Sequence, residues 1–205
     1  MDMIKITQKV TNTSAIPVIK DSGRKVMQNI TAATQDFVDR LSNTHTKEIL
    51  EFLEKNAKKI KTRSADDSLY LYNNILLYRA HGAKSYDLEQ NLKILKGSPI
   101  APKFVKYFKL GEEDFLTVMQ VSDKAVVSYN EAPQRVVSAA KEDFRNQLTD
   151  LINRGFVNRE VFANKGALLS TEDGKNLVFA EWSSLQPIEK RDVPIYLGRI
   201  RALPL

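Results

Sequence analysis

Apolar residues recur at helical spacing in the first third of the chain. One stripe predicts a helix with a single buried face and consists of Val26, Ile30, Ala33, Phe37 and Leu41. After the polar stretch "SNTHT", a second stripe of the same kind consists of Ile49, Leu50, Leu53, Ala57 and Ile60. The pattern therefore predicts two consecutive amphipathic helices, the second reaching Ile60.

From residue 69 onward, the pattern alternates between short apolar runs and helical spacing. Strands are predicted at residues 75–78, in "DFLTVMQV" and "KAVVSY" as a hairpin around the turn "SD", and, last of all, in "VPIYLGRI". A short helix is predicted over "SYDLEQNLKIL", and the longest helix begins at Pro133 and ends at Gly155. "GALLS" and "NLVFAE" flank "TEDGKN", whose Asp-Gly pair is typical of a hairpin turn.

These elements predict an α+β protein, in which helices come first and a mainly antiparallel sheet follows. Residues 1–22 are polar and lack a period, so they are expected to form a flexible leader. Residues 23–205 are expected to form a single domain, with a helical part at 23–68 and an α+β core at 69–205.

Composition excludes several classes of chemistry. The 205 residues include no cysteine and only two histidines, which removes disulfides, thiol catalysis and most histidine-based metal or triad sites. No apolar run is long enough for a transmembrane helix. The net charge of +6 is spread along the chain, so nucleic-acid binding is not expected.

Two apolar runs end on charged residues of opposite sign. "NNILLYRAHG" reaches Arg79, and "LVFAEWSSL" reaches Glu181, which precedes the only tryptophan, Trp182. Arginine binds phosphate or carboxylate with a bidentate fork, and a carboxylate at the edge of a cleft stabilises developing positive charge. Single charged residues at strand ends are nevertheless most often surface positions. The two residues are therefore either unrelated surface positions or two halves of one site.

One interpretation is a kinase-like module. Residues 154–183 have the rhythm of a protein kinase catalytic loop followed by its metal-binding strand. Glu160 would stand for the catalytic acid, Asn164 and Glu181 for the metal-binding pair, and Glu89 for the helix residue that forms the kinase ion pair. The chain lacks a Gly-rich loop and a Val-Ala-x-Lys strand, and only 24 residues follow Glu181. This alternative predicts a reduced kinase-like fold that acts without catalysis on host signalling.

The two runs together resemble the HopF/EspJ family of type III secreted effectors, also called the AvrPphF family. In that family, an apolar stretch leads into an essential arginine, as "LLYRAHGAKSY" does here. About a hundred residues later come an aromatic residue, alanine, an acid and two serines, as in "FAEWSS". The segments "KGSP", "TVM" and "SYNEA" are similar to further family landmarks in the same order.

The resemblance implies a split antiparallel sheet around a cleft and an ADP-ribosyltransferase-like fold. It implies a secreted virulence effector that transfers ADP-ribose from NAD to a host target protein, such as a signalling kinase. Residues 1–22 would be the export signal for type III secretion, with a secretion chaperone as a further partner, and the protein would act in the host cell.

The resemblance also implies roles for single residues. Arg79 and Glu181 would be the catalytic pair, with Arg79 also holding the diphosphate or the nicotinamide ribose of NAD. Glu181 stands where the family usually has aspartate, although other branches of ADP-ribosyltransferases use glutamate. The remaining expected cofactor-binding residues are Tyr107, Phe108, Tyr129 and Ser183, of which the three aromatic rings are candidates to stack on nicotinamide.

Overall fold

The computed structural model describes residues 30–60 and 67–205. The predicted leader, residues 1–22, lies outside the described residues. The described chain begins with two helices, α1 (Ala32–Ser42) and α2 (Thr46–Asn56). The side chain of Thr31 caps α1 by accepting a hydrogen bond from the backbone N–H of Thr34, which satisfies one of the free donors of the first turn.

A five-stranded antiparallel sheet follows these helices. Its strands are β1 (Lys58–Ile60), β2 (Ser68–Tyr72), β3 (Ile75–His81), β4 (Lys103–Lys109) and β5 (Asp114–Gln120), in the spatial order β1-β2-β3-β5-β4. Helix α3 (Gly82–Ile94) connects β3 to β4. Each of the four strand pairs is antiparallel.

Strand alternation divides this sheet into two buried faces. One face packs against α1 and α2, through a cluster that includes Phe37, Leu53 and Leu77. The other face joins α3 and the second half of the chain in a larger cluster that includes Leu76 and Tyr78. Neighbouring residues of β3 therefore point into different surroundings.

The second half of the chain is built around a long helix and short strands. Its elements are β6 (Val126–Ser128), α4 (Ser138–Asn153), β7 (Phe156–Asn158), α5 (Glu160–Ala163), β8 (Leu168–Thr171), β9 (Leu177–Phe179), β10 (Leu185–Pro187) and α6 (Val193–Arg201). Antiparallel pairing joins β6, β8 and β9 in one sheet and β7 and β10 in another. The predicted α+β class with mainly antiparallel sheets is confirmed.

Several predicted elements are wrong. The second helix ends at Asn56, and Ile60 instead lies in β1, paired with Leu69. The segment "VPIYLGRI" forms helix α6, whose buried residues Tyr196 and Ile200 are one helical turn apart. The strands of "DFLTVMQV" and "KAVVSY" do not form a hairpin, because β5 and β6 belong to different sheets. Strands β2, β4, β7 and β10 were not predicted.

Among the described residues, no helix has both the length and the apolar composition required to cross a bilayer.

Candidate functional site

The two neighbouring β3 residues Tyr78 and Arg79 point to opposite faces of the sheet. Tyr78 belongs to the cluster shared with α3 and is 2% exposed. On β5, the partner of Arg79 is Leu116, which belongs to the cluster under α1 and α2. Arg79 also follows Ile75 and Leu77 at two-residue spacing, and both of these residues belong to the same cluster, so strand alternation directs Arg79 to that side.

Arg79 is engaged by an aspartate of the adjacent strand. Its Nε lies 3.1 and 2.9 Å from Oδ1 and Oδ2 of Asp114, and its Nη2 lies 2.6 Å from Oδ2. These hydrogen bonds raise the pKa of Arg79 above its ordinary value. The guanidinium fork is therefore already occupied by a carboxylate within the same sheet.

Glu181 lies directly after β9 and Ala180, in the interior between the two halves of the molecule. It is only 5% exposed. Its Oε2 accepts a hydrogen bond from Nδ2 of Asn164 at 2.9 Å, and its backbone carbonyl accepts one from Nδ2 of Asn158 at 2.6 Å. Burial of a carboxylate demands such partners, because an unpaired buried charge is costly.

The expected pairing of Arg79 and Glu181 in one cleft is not found in this structure. Arg79 faces α2 and binds Asp114, whereas the charge of Glu181 acts on Tyr78, on the other side of β3. The physical reason is the two-residue period of a strand, which directs Tyr78 and not Arg79 toward Glu181.

The phenol of Tyr78 is part of a buried polar group. It donates a hydrogen bond to Oδ2 of Asp67 at 2.8 Å, and Nζ of Lys84 lies 3.0 and 3.1 Å from the two oxygens of that carboxylate. Burial raises the pKa of Tyr78 well above its ordinary value. A hydrogen bond with Ser183 opposes this shift, and the hydrogen bond to Asp67 and the negative charges of Asp67 and Glu181 add to it.

Helix α3 holds the segment that follows Glu181. Nδ2 of the buried Asn91 donates to the backbone carbonyls of Trp182 and Ser183, at 2.8 and 3.2 Å. The indole Nε1 of Trp182 donates to the carbonyl of Phe179 at 2.7 Å. The polar atom of this buried ring therefore has a hydrogen-bond partner, and the ring itself packs in the core. Ser183 is the one predicted cofactor-binding residue that this structure places beside Tyr78 and Glu181.

The three predicted stacking residues lie apart from this group. Tyr107 is half exposed on the edge strand β4, and Phe108 packs with the cluster under α1 and α2. Tyr129 is buried after β6, with Nζ of Lys141 5.9 Å from its ring centroid. These rings therefore do not form one platform.

The kinase-type pattern identified part of this site. Asn164 and Glu181, predicted as a pair, do touch, and the backbone N–H of Glu160 donates to Oδ1 of Asn158 at 3.0 Å. Glu89 forms an ion pair with Lys93 on its own helix, at 2.8 Å. The pattern missed Asn158, although an asparagine at the end of an apolar strand was an available signal.

The residues present do not fit the magnesium site of a protein kinase, in which an aspartate and an asparagine offer oxygens to the metal. The Oδ1 of Asn164 accepts from the backbone N–H of Gly166 at 3.1 Å, and its NH₂ group faces Glu181. Within the described chain, no group of three or more His, Cys, Asp or Glu side chains is placed to hold a metal ion.

Sequence comparison gives no assignment, since neither a family model nor a curated protein matches this chain. The structure is similar to WbdD in complex with the kinase inhibitor LY294002, with a TM-score of 0.45 and 12% identity over 71% of this chain and 37% of WbdD. It is similar to the Cydia pomonella granulovirus kinase PK-1, with a TM-score of 0.41 and 13% identity over 75% of this chain and 57% of PK-1. At this level of similarity, neither likeness assigns a function.

Proposed function

We propose that this protein is a kinase-like binding module that does not transfer phosphate. The order of its parts supports this proposal: a five-stranded sheet with a helix after the third strand, then a half with a long helix and short strands, in which α5 follows β7 and an acid follows β9. Protein kinases distribute their nucleotide, metal and catalytic groups over the same sequence of parts.

The observation that carries the proposal is the set of side chains that β3 presents toward α3. In protein kinases, the third strand of the sheet presents a lysine to the phosphates of ATP, and this lysine pairs with a glutamate of the next helix. Here the β3 side chains on the α3 side are Leu76, Tyr78 and Ala80, and none is basic. The buried hydrogen bond from Tyr78 to Asp67 occupies the same face.

A second observation supports the same function. The amide of Asn164 directs its donor group at Glu181, so a magnesium ion would have to break this hydrogen bond before both side chains offered oxygen. The cost of that rearrangement weakens metal binding, and with it the binding of a nucleotide through its metal.

The test is isothermal titration calorimetry of the full chain with ATP and MgCl₂, together with a phosphate-transfer assay using radiolabelled ATP. We expect no saturable heat at millimolar nucleotide and no labelled protein. The variant Glu181→Gln and its control Glu172→Gln, an exposed position in the β8–β9 turn, should give the same result as the parent. Saturable ATP binding that Glu181→Gln weakens and Glu172→Gln does not would overturn the proposal.

Mono-ADP-ribosyl transfer from NAD to a host protein, with export through a type III apparatus, stays a prediction of the family resemblance. The separation of Arg79 from Glu181 does not favour it. Incubation with labelled NAD and a host-cell extract tests it directly, and transfer of label that requires Glu181 but not Glu172 would replace the binding-module proposal.

A further inference from the structure

Two arginines from distant parts of the chain line one cavity on the surface of the second half. Arg159 lies between β7 and α5, and Arg199 lies on α6. They share a cavity of about 280 Å³ with Asp192, Ile195 and Tyr196. We call this cavity and the neighbouring apolar cavity, which Arg199 also lines, the Arg159–Arg199 surface.

Both guanidinium groups of this surface are available for a ligand. Arg159 and Arg199 are exposed, and neither makes an ion pair within the described residues. Asp192 is the one carboxylate among the lining residues, so the cavity carries an excess of positive charge. A guanidinium fork matches the oxygens of a phosphate with two parallel hydrogen bonds.

Aromatic packing orients one of these arginines. The guanidinium of Arg199 lies 5.6 Å from the ring centroid of Tyr196, and the ring of Phe162 stacks on the same tyrosine at 6.2 Å and 29°. Tyr196 is therefore already packed by Arg199 and Phe162, so it offers no free platform for a nucleobase. Recognition of single-stranded nucleic acid depends on such platforms.

The second cavity adds an apolar half to the surface. It measures about 310 Å³, shares Arg199 with the first cavity, and is otherwise lined by Phe162, Ala202, Leu203 and Pro204. Arg145 of α4 fixes this wall, since its Nη2 donates to the carbonyl of Leu203 at 3.0 Å. An anion-binding half and an apolar half thus lie side by side.

We propose that the Arg159–Arg199 surface binds a phosphorylated side chain of a partner protein, with an adjacent apolar residue of the same peptide in the second cavity. This inference deepens the proposed binding function, because it names the class of partner. Two arginines supply the phosphate contacts, and the neighbouring apolar cavity distinguishes a peptide from free phosphate.

The experiment uses the full chain and immobilised degenerate nonapeptides with a central phosphoserine, phosphothreonine or phosphotyrosine, each with its unphosphorylated twin. Binding is measured by biolayer interferometry at fixed salt. We expect at least one phosphorylated mixture to bind roughly tenfold more tightly than its twin. The double variant Arg159→Ala/Arg199→Ala should lose that difference.

The control Lys190→Ala/Arg201→Ala removes the same number of positive charges from two exposed positions, one just before α6 and one at its end, outside both cavities. It should keep at least half of the affinity of the parent. Equal losses in the two double variants would show non-specific attraction and overturn the proposal, as would equal binding of phosphorylated and unphosphorylated peptides.

Two further measurements distinguish a phosphopeptide from other ligands that contain phosphate. Inorganic phosphate that displaces the peptide at equal concentration, or an oligothymidine that binds more tightly through the same arginines, would contradict a peptide partner. Neither measurement involves ATP or NAD. Failure of the phosphopeptide assay therefore leaves the calorimetric test of the proposed function intact.

Discussion

The phenol of Tyr78 and the carboxylate of Asp67 form a hydrogen bond of 2.8 Å inside the molecule. Nζ of Lys84 reaches the same carboxylate, so β3, α3 and the residue before β2 meet at one point. Asp67 is 5% exposed, and a buried carboxylate depends on such donors for its stability.

Removal of the phenol should therefore destabilise the protein. Tyr78→Phe deletes one of the donors to Asp67 and should lower the free energy of unfolding at pH 7 by about 1–3 kcal/mol. The control Tyr86→Phe changes an exposed ring on α3 and should alter it by less than about 0.5 kcal/mol. Urea denaturation of the three proteins measures the difference, and equal midpoints would show that the hydrogen bond contributes nothing.

The raised pKa of the Tyr78 phenol predicts that the folded protein loses stability at alkaline pH. The unfolded chain releases the tyrosine proton near pH 10, whereas the pKa of Tyr78 in the folded protein is raised by burial. Below pH 10 both states keep the proton. As pH rises above 10, the unfolded state holds fewer protons and stability falls. Tyr78→Phe should show a shallower decline between pH 9 and 11, and parallel declines would contradict the raised pKa.

Asn158 links the start of α5 to the segment that contains Glu181, so this side chain should stabilise the folded protein. Its Nδ2 donates to the carbonyl of Glu181, and its Oδ1 accepts from the N–H of Glu160. Asn158→Ala leaves both groups without this partner and should cost about 2–4 kcal/mol of unfolding free energy. Asn153→Ala, at an exposed position at the end of α4, is the matched control and should cost less than about 1 kcal/mol. Similar thermal midpoints for the two variants would refute this role.

Gly174 should tolerate no side chain. Its φ is +67°, and an added Cβ would collide with the backbone carbonyl of Arg135. Gly97 also has a positive φ, +84°, but an added Cβ would meet no atom there. Gly97→Ala thus isolates the backbone strain, about 1 kcal/mol, and Gly174→Ala should cost at least about 2 kcal/mol more. Thermal denaturation compares the two, and equal costs would mean that the 135–136 segment moves away freely.

The hairpin that contains Gly174 was predictable from sequence because its signals are local. The Asp173-Gly174 pair fits a turn with a positive φ, and the flanking apolar runs supply β8 and β9. The C-terminal segment was not predictable in the same way. Its apolar residues favour a strand, but Pro194 fits the first turn of a helix, and packing of α6 against α4 decides the outcome.

Strand β4 was missed for a different reason. It is an edge strand of the sheet and carries Lys103, Lys106 and Lys109. Lysines are common on edge strands because they prevent pairing with other chains. Their presence hides the alternation of apolar and polar residues that identifies a strand with one buried face.

Only part of the candidate site could be predicted from a single sequence without an alignment. The spacing of a kinase-type loop and strand assigned Asn164 and Glu181 to the two metal-binding positions, and the structure shows that these side chains are in contact. The choice between Tyr78 and Arg79 could not be made, because both faces of β3 are buried and its apolar run is continuous. Only the packing of α1 and α2 on one face determines that Arg79 turns away.

The buried Trp182 allows changes in the interior near Glu181 to be followed by intrinsic fluorescence. It is the only tryptophan of the chain, has no exposed surface, and meets the ring of Phe179 edge-on at 5.6 Å. All tryptophan emission therefore arises one residue from Glu181. Any ligand or variant that opens this interior should shift the emission to longer wavelength and expose it to iodide quenching, without any label.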